Sequence, residues 1–148
     1  MARAVWSPIP AGETLVANRF QASPGWRTWR PHGTADWQIL VTERGTGRFV
    51  HAHGYLAADP TRVVLLRPGV VHDYGPAPGV PLWSVAWVHF QARDHWLDLL
   101  EWAEPAPGVM AIDVGPASDR RCLLGLLEAE MKTSSTASAP KNSGRRRT

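Results

Sequence analysis

The feature that most constrains the fold is a turn that leads directly into a strand, Arg67-Pro-Gly-Val-Val-His-Asp-Tyr-Gly75. The residues before it, Val63 to Leu66, form a short apolar run that favours a strand. Pro68 donates no ladder hydrogen bond and Gly69 accepts a positive φ, so the strand ends there and the chain returns. The sequence therefore predicts two short strands joined by a tight turn.

Side-chain alternation in the strands after this turn predicts an interior lined by rings. Val70, His72 and Tyr74 fall on one face of the first strand. In the run from Trp83 to Phe90, one face carries large rings and the other mostly small residues: Trp83, Val85, Trp87 and His89 against Ser84, Ala86, Val88 and Phe90. An aromatic stripe of this kind is typical of a small barrel that keeps room for a ligand.

Short strands with Gly and Pro between them continue along the first 91 residues. The predicted strands are 14–20, 37–43, 48–51 and 54–57, separated by turns at 22–25, 30–33 and 44–47. Their regular spacing indicates a β sandwich or barrel.

After residue 90 the apolar period changes to three and four residues, which predicts helices. The first predicted helix is amphipathic and covers 92–103, with Trp96, Leu99 and Leu100 on its apolar face. Ser118 is a candidate N-cap for a second helix, whose apolar stripe is Leu123, Leu124, Leu127 and Met131.

Composition limits the class of protein. A chain of 148 residues with 44% hydrophobic and 20% charged residues is typical of one soluble folded domain. It has no apolar run of membrane-spanning length and no signal peptide, which predicts a cytoplasmic location. The single Cys122 excludes an internal disulfide and a cysteine-based metal site.

The net charge of +3 comes mostly from the C-terminal tail. Lys141 and the run Arg145 to Arg147 lie in a Ser/Thr/Ala/Pro/Gly-rich segment that begins near Thr133. Such a segment is typically disordered and solvated, so the charge does not indicate a nucleic-acid surface.

Several motifs, in this order, resemble the N-terminal ligand-binding and dimerisation domain of AraC-type transcription regulators: Arg30-Pro-x-Gly33, Gly45-x-Gly47, Pro68-Gly-x-x-His-x-Tyr-Gly75, Trp87-Val-x-Phe90 and Trp96-x-x-x-Leu-x-Trp102. The resemblance implies a mainly β fold, a cupin-like jelly-roll barrel followed by helices. Together with the two C-terminal α-helices and the disordered basic tail predicted from the residues, it gives an arm over 1–13, a barrel over 14–91, a helical dimerisation remnant over 92–132 and a tail over 133–148.

The resemblance also implies a ligand site. Arg30 matches the arginine that hydrogen-bonds a sugar hydroxyl, Tyr74 a tyrosine that closes the pocket and Trp87 the tryptophan that stacks on the sugar. Pro8 matches the arm segment that folds over the ligand. Val85 stands where arabinose-binding members carry a histidine, which implies a ligand other than arabinose.

Simpler interpretations of the same residues stay open. Arg30 could pair with a carboxylate such as Asp36, Trp87 could be a core residue, and Tyr74 could cap backbone groups at the barrel rim.

A small metal-dependent cupin enzyme is the alternative function. Its ligands would be His32, Asp36 and His72, a two-His, one-carboxylate set. Arg30 replaces the first histidine of that pattern and opposes a cation, so we expect no metal. His51 and His53 also form a His-x-His pattern, but on a surface hairpin.

The function that we expect is small-molecule sensing, without catalysis and without a cofactor. The sequence contains no recognisable nucleophile with a base and no phosphate loop. The partners we expect are a sugar-like effector and, weakly, a second copy or a full-length regulator. Because no helix-turn-helix pattern follows the barrel, we expect a truncated or stand-alone sensor without specific DNA binding or membrane contact.

Overall fold

The computed structural model describes residues 6–115 and 117–135. Within them the chain forms nine strands, a short 3-10 helix over Asp94–Leu100 and one α-helix, α1, over Ala117–Ser135. The strands are β1 (Leu15–Ala22), β2 (Thr28–Arg30), β3 (Trp37–Arg44), β4 (Gly47–His51), β5 (Gly54–Ala58), β6 (Arg62–Leu66), β7 (His72–Pro76), β8 (Trp83–Phe90) and β9 (Met110–Asp113).

The strands form two antiparallel sheets that pack face to face. The five-stranded sheet has the order β1-β8-β3-β6-β9, and the four-stranded sheet has the order β2-β7-β4-β5. Most neighbours in these sheets are far apart in sequence, as expected of a jelly roll. The predicted fold class, a mainly β jelly-roll barrel followed by helices, is confirmed.

The turn at Pro68-Gly69 has a different role from the predicted one. The strands on either side of it, β6 and β7, belong to different sheets and do not pair. The turn therefore carries the chain across the sandwich, and the prediction that the chain folds back on the preceding strand was wrong. Pairing with β3 and β9 already occupies both edges of β6.

Alternation divides the apolar residues into two layers. The inner layer lies between the sheets and includes Leu40, Phe49, Tyr74, Trp83 and Val85. The outer layer covers the other face of the five-stranded sheet and includes Val41, Leu65, Ala86 and Val88. The predicted division of residues 83–90 into two faces is therefore found in the structure, because a side chain alternates with each residue of a strand.

The segment after β8 differs from the predicted α-helix. It is a seven-residue 3-10 helix whose N-terminus has no side-chain cap at Arg93, and Leu99 is 72% exposed. The chain then folds back, with Ala111 donating to the carbonyl of Ala103 at 3.0 Å, and forms β9 against β6. We attribute the short helix to this reversal of the chain, which brings β9 against β6. The apolar period of the sequence did not predict the reversal.

The stripe on α1 packs against the barrel of its own chain. Leu127 is buried in the outer layer, and Leu123, Leu124 and Met131 pack around it. Within the described residues, neither helix has the length and hydropathy needed to cross a lipid bilayer. Residues 136–148, most of the predicted tail, lie outside the described part of the chain.

Candidate functional site

A polar cluster lies where β2 and β7 pair. The register places Arg30 opposite His72 and Thr28 opposite Tyr74, so these side chains share the inner face of the four-stranded sheet. Arg30 donates from Nη1 to His72 Nδ1 at 3.1 Å and to Tyr74 Oη at 3.4 Å. Two of the residues implied by the family resemblance, Arg30 and Tyr74, are therefore in direct contact.

Arg30 is a cation without a carboxylate partner among the described residues. Its remaining recorded contact is with the ring of Trp6, 5.5 Å from the guanidinium carbon. The pair with Asp36, left open by the sequence, does not form, because Asp36 is bonded elsewhere. The guanidinium of Arg30 therefore makes no ion pair in the described part of the chain.

Burial keeps His72 neutral. Removal from water, the largest cause, and the nearby positive charge of Arg30 together lower the pKa of His72 from 6.5 to about 3. The ring is fully buried and its Nδ1 accepts a hydrogen bond from Arg30. A neutral imidazole beside Arg30 can serve as a hydrogen-bonding group without adding a second charge.

The buried Asp36 connects three parts of the chain. Its carboxylate accepts hydrogen bonds from Thr34 Oγ1 at 3.0 Å, from the hydroxyl of Ser7, and from His89 Nδ1 at 2.6 Å. Burial also lowers the pKa of His89, against the opposing effect of the bond to Asp36. Asp36 therefore fixes both the N-terminal arm and an interior histidine of β8.

Trp87 joins the same region through His89. The two rings meet edge to face with centroids 5.3 Å apart, and the rings of His89 and His72 are 6.5 Å apart. Trp87 is partly buried against the inner layer. It is thus neither a fully buried core residue nor a surface residue.

The N-terminal arm lies across the loop that follows β2. Ala35 donates to the carbonyl of Trp6 at 3.0 Å, and Ile9 donates to Ser7 Oγ at 3.1 Å. Pro8 lies between these anchored residues and is half-buried. The arm residue implied by the resemblance is therefore held near the cluster.

The metal-ligand set of the alternative function does not assemble. His32 is exposed, whereas Asp36 and His72 are buried. In the described residues, no three His, Cys, Asp or Glu side chains are grouped so that they could hold a metal ion. His51 and His53 lie on the β4–β5 hairpin, as predicted.

Sequence reasoning missed three contributors to this cluster. Gln38 is 1% exposed on the inner face of β3, and its Nε2 donates to Tyr74 Oη at 3.3 Å. His89 was placed on the ring-bearing face without a role, and Asp36 was considered only as a metal ligand or as a partner of Arg30. A polar residue on the inner face of a buried strand was the available signal for Gln38.

A family model described as the AraC-like ligand binding domain matches residues 16–143. The chain belongs to this family. The predicted resemblance is confirmed, and the match covers the barrel, the 3-10 helix and α1.

Two curated relatives are similar over about half of the chain. The arabinose operon regulatory protein of Salmonella typhimurium strain LT2 is 32% identical over 73 residues, 49% of this chain and 26% of the relative. The protein of the same name from Escherichia coli K12 is also 32% identical over 73 residues, 25% of its length. This chain therefore matches about a quarter of each curated relative.

Solved structures of ToxT from Vibrio cholerae share the fold. The unsaturated fatty acid-bound form has a TM-score of 0.57 at 11% identity, covering 81% of this chain and 48% of ToxT. An apo variant gives 0.59 at 11% identity, with 80% and 48% covered. At this identity the similarity shows the fold alone.

Proposed function

We propose that this chain is the effector-binding domain of an AraC-type transcription regulator and that its effector is a small sugar-like molecule. The effector binds between the two sheets beside Arg30, Tyr74 and Trp87, and the arm segment with Pro8 covers it.

The unpaired guanidinium of Arg30 carries this proposal. Arginine has five N–H donors in a fixed fork. The recorded bonds to His72 and Tyr74 both use Nη1, and no ion pair of Arg30 is found among the described residues. The Nε and Nη2 donors are therefore available to oxygen atoms of a ligand.

Trp87 and the names of the curated relatives support a sugar. An aromatic face beside polar groups matches a sugar, whose C–H face is apolar while its edges are polar. Both curated relatives are named as arabinose operon regulators. Val85 is fully buried and apolar, so we infer that the ligand is a sugar other than arabinose or a related polyol.

The remaining partners are also proposals. The described helices, a short 3-10 helix and α1, do not form a helix-turn-helix pair. We infer that a different domain or chain reads the DNA, in the cytoplasm, and that this chain associates only weakly with a second copy or with a full-length regulator.

A fluorescence titration tests the proposed effector site. Aldopentoses and aldohexoses are titrated while tryptophan emission is followed, with fatty acids as the comparison class. We expect a sugar to quench emission, and Arg30→Ala to weaken its binding by about 1.5–3 kcal/mol, the usual contribution of a charged hydrogen bond.

Arg67→Ala is the matched control, because Arg67 is an exposed arginine paired with Glu104 on the surface. Its affinity should equal that of the parent. If Arg30→Ala and the parent bind the sugar equally well, Arg30 is not part of the site.

A further inference from the structure

Two buried polar atoms in the barrel interior have no hydrogen-bond partner among the described residues. They are Oε1 of Gln38 and Nε2 of His72, on side chains that are 1% and 0% exposed. A buried polar atom without a partner costs free energy, so most such atoms in folded proteins are satisfied. These two atoms therefore leave one hydrogen bond each to be made by a group from outside the protein.

The free nitrogen of His72 is a donor. Nδ1 faces an N–H group of Arg30 and must carry the lone pair. Because the buried ring is neutral, its single proton then resides on Nε2. The interior thus presents an N–H group without an acceptor.

The free oxygen of Gln38 is an acceptor. The other end of the same amide, Nε2, donates to Tyr74 Oη, which also accepts from Arg30. Oε1 can only accept a hydrogen bond. The two free atoms, one donor and one acceptor, both belong to side chains bonded within the Arg30–Tyr74 cluster.

We propose that Gln38 and His72 determine ligand specificity by selecting a neutral, hydroxyl-bearing molecule over a carboxylate. Hydroxyl groups of a ligand can both donate to Gln38 Oε1 and accept from His72 Nε2, whereas an ionised carboxylate has no hydrogen to donate and leaves Gln38 Oε1 without a partner. This inference rests on the proposed function and names the ligand class of the same site.

Thr42, on the same face of β3 as Gln38, is a buried polar residue whose hydroxyl has both a hydrogen-bond acceptor and a donor. It is 2% exposed, four residues from Gln38 along β3. Its hydroxyl donates to the carbonyl of Ala58 at 3.1 Å and accepts from Trp83 Nε1 at 3.0 Å. Thr42 is therefore a matched control, a buried polar residue whose bonds are complete within the protein.

The first experiment compares Gln38→Met with Thr42→Val. Gln38→Met removes the unsatisfied Oε1 together with the hydrogen bond from Nε2 to Tyr74 Oη, which keeps its bond from Arg30, so the Tm of the ligand-free protein should fall less than in Thr42→Val. Thr42→Val leaves Trp83 Nε1 without its acceptor, so the Tm should fall. A fall in Tm for Gln38→Met as large as that for Thr42→Val would show that Oε1 is already bonded, and would overturn the proposal.

The second experiment measures binding with D-xylose and D-ribose as hydroxyl probes and octanoate as the carboxylate probe. We expect a pentose to bind, Gln38→Met to weaken it about tenfold or more, and Thr42→Val to leave its affinity unchanged. Arg30-dependent binding of octanoate without pentose binding would overturn the specificity and the sugar-like effector, and would leave only effector binding at Arg30 standing.

Nitrogen NMR of the ligand-free protein tests the same idea without any ligand. We expect the signals of His72 to show the neutral tautomer with the proton on Nε2. A proton on Nδ1 would remove the free donor and overturn the proposal, even if every probe bound. If no probe binds, D-xylose and D-ribose are not the effector, and the Tm comparison and the tautomer still decide whether the two atoms are free.

Discussion

At the scale of single residues, the polar cluster contains one permanent cation, Arg30, beside two buried histidines whose uncharged forms are favoured. Arg30 has neutral neighbours because burial and the guanidinium both favour the uncharged form of His72. Burial acts on His89 in the same direction. The site thus combines the permanent positive charge of Arg30 with two histidines whose pKa values are lowered, and the Asp36 carboxylate is bonded to His89, Thr34 and Ser7.

His72 makes folding stability depend on pH. Its folded-state pKa of about 3 lies below the ordinary value of 6.5, so between these values the unfolded chain binds more protons than the folded chain. The contribution of neutral His72 to the free energy of unfolding is therefore fully present above about pH 6.5. It decreases as the pH drops towards 3, by at most about 1.4 kcal/mol per pH unit. Urea denaturation between pH 7 and 4.5 measures this slope.

Two histidine variants separate this effect from general acid sensitivity. His72→Gln should flatten the slope, with His89 retaining its own contribution of the same sign. His53→Gln is the control, because His53 is exposed on the β4–β5 hairpin. Parallel curves for His72→Gln and the parent would show that His72 does not titrate differently in the folded state.

At the scale of elements, the turn after β2 positions the polar cluster. Gly33 has a φ of +58°, and a methyl group there would lie 2.1 Å from the carbonyl oxygen of Val70. The loop between β2 and β3 therefore lies directly against the segment before β7. This close approach explains the glycine of the Arg30-Pro-x-Gly33 motif.

Gly33→Ala should destabilise the protein by more than the strain of a positive φ alone, about 1–3 kcal/mol. Gly69→Ala is the control, since Gly69 has a φ of +80° but no atom within 4 Å of an added methyl group. Chemical denaturation of both variants should give a clearly larger loss for Gly33→Ala. Equal losses of unfolding free energy would show that the contact of the added methyl group with the Val70 carbonyl does not destabilise the protein.

The role of α1 is tested by adjacent leucines. Leu127 is buried against the five-stranded sheet, whereas Leu126 is 64% exposed. Leu127→Ala should cost about 2–4 kcal/mol of unfolding free energy, and Leu126→Ala less than about 0.5 kcal/mol. Chemical denaturation gives both values.

Sedimentation of the same two variants addresses the proposed weak self-association. Loss of a dimer in Leu127→Ala with unchanged stability would contradict the packing of α1 on its own barrel. Loss of a dimer in Leu126→Ala alone would instead place the exposed side of α1 in the interface.

At the scale of the whole molecule, local patterns in the sequence predicted most strands and their two faces. Alternation correctly separated Trp83, Val85 and Trp87 from Ala86 and Val88. Successive side chains of a strand point to opposite faces of its sheet, and only one face of β8 lies towards the other sheet. Gly and Pro marked most of the turns. These are short-range properties, which a single sequence carries.

Properties that depend on distant contacts were not predictable in this way. The crossing of the chain between sheets after Leu66, and the pairing of β9 with β6, depend on which strand edges are free. The bonds of Asp36 to Ser7 and His89 join residues far apart in the chain. Composition and spacing contain no direct signal for such pairs.

A crystal structure of the protein grown with a saturating pentose that quenches its tryptophan emission tests the central claim most directly. The account predicts the sugar between the two sheets, with oxygens within hydrogen-bond distance of Arg30 and its ring against Trp87. A sugar bound only outside the barrel, with Arg30 and Trp87 unchanged, would contradict it.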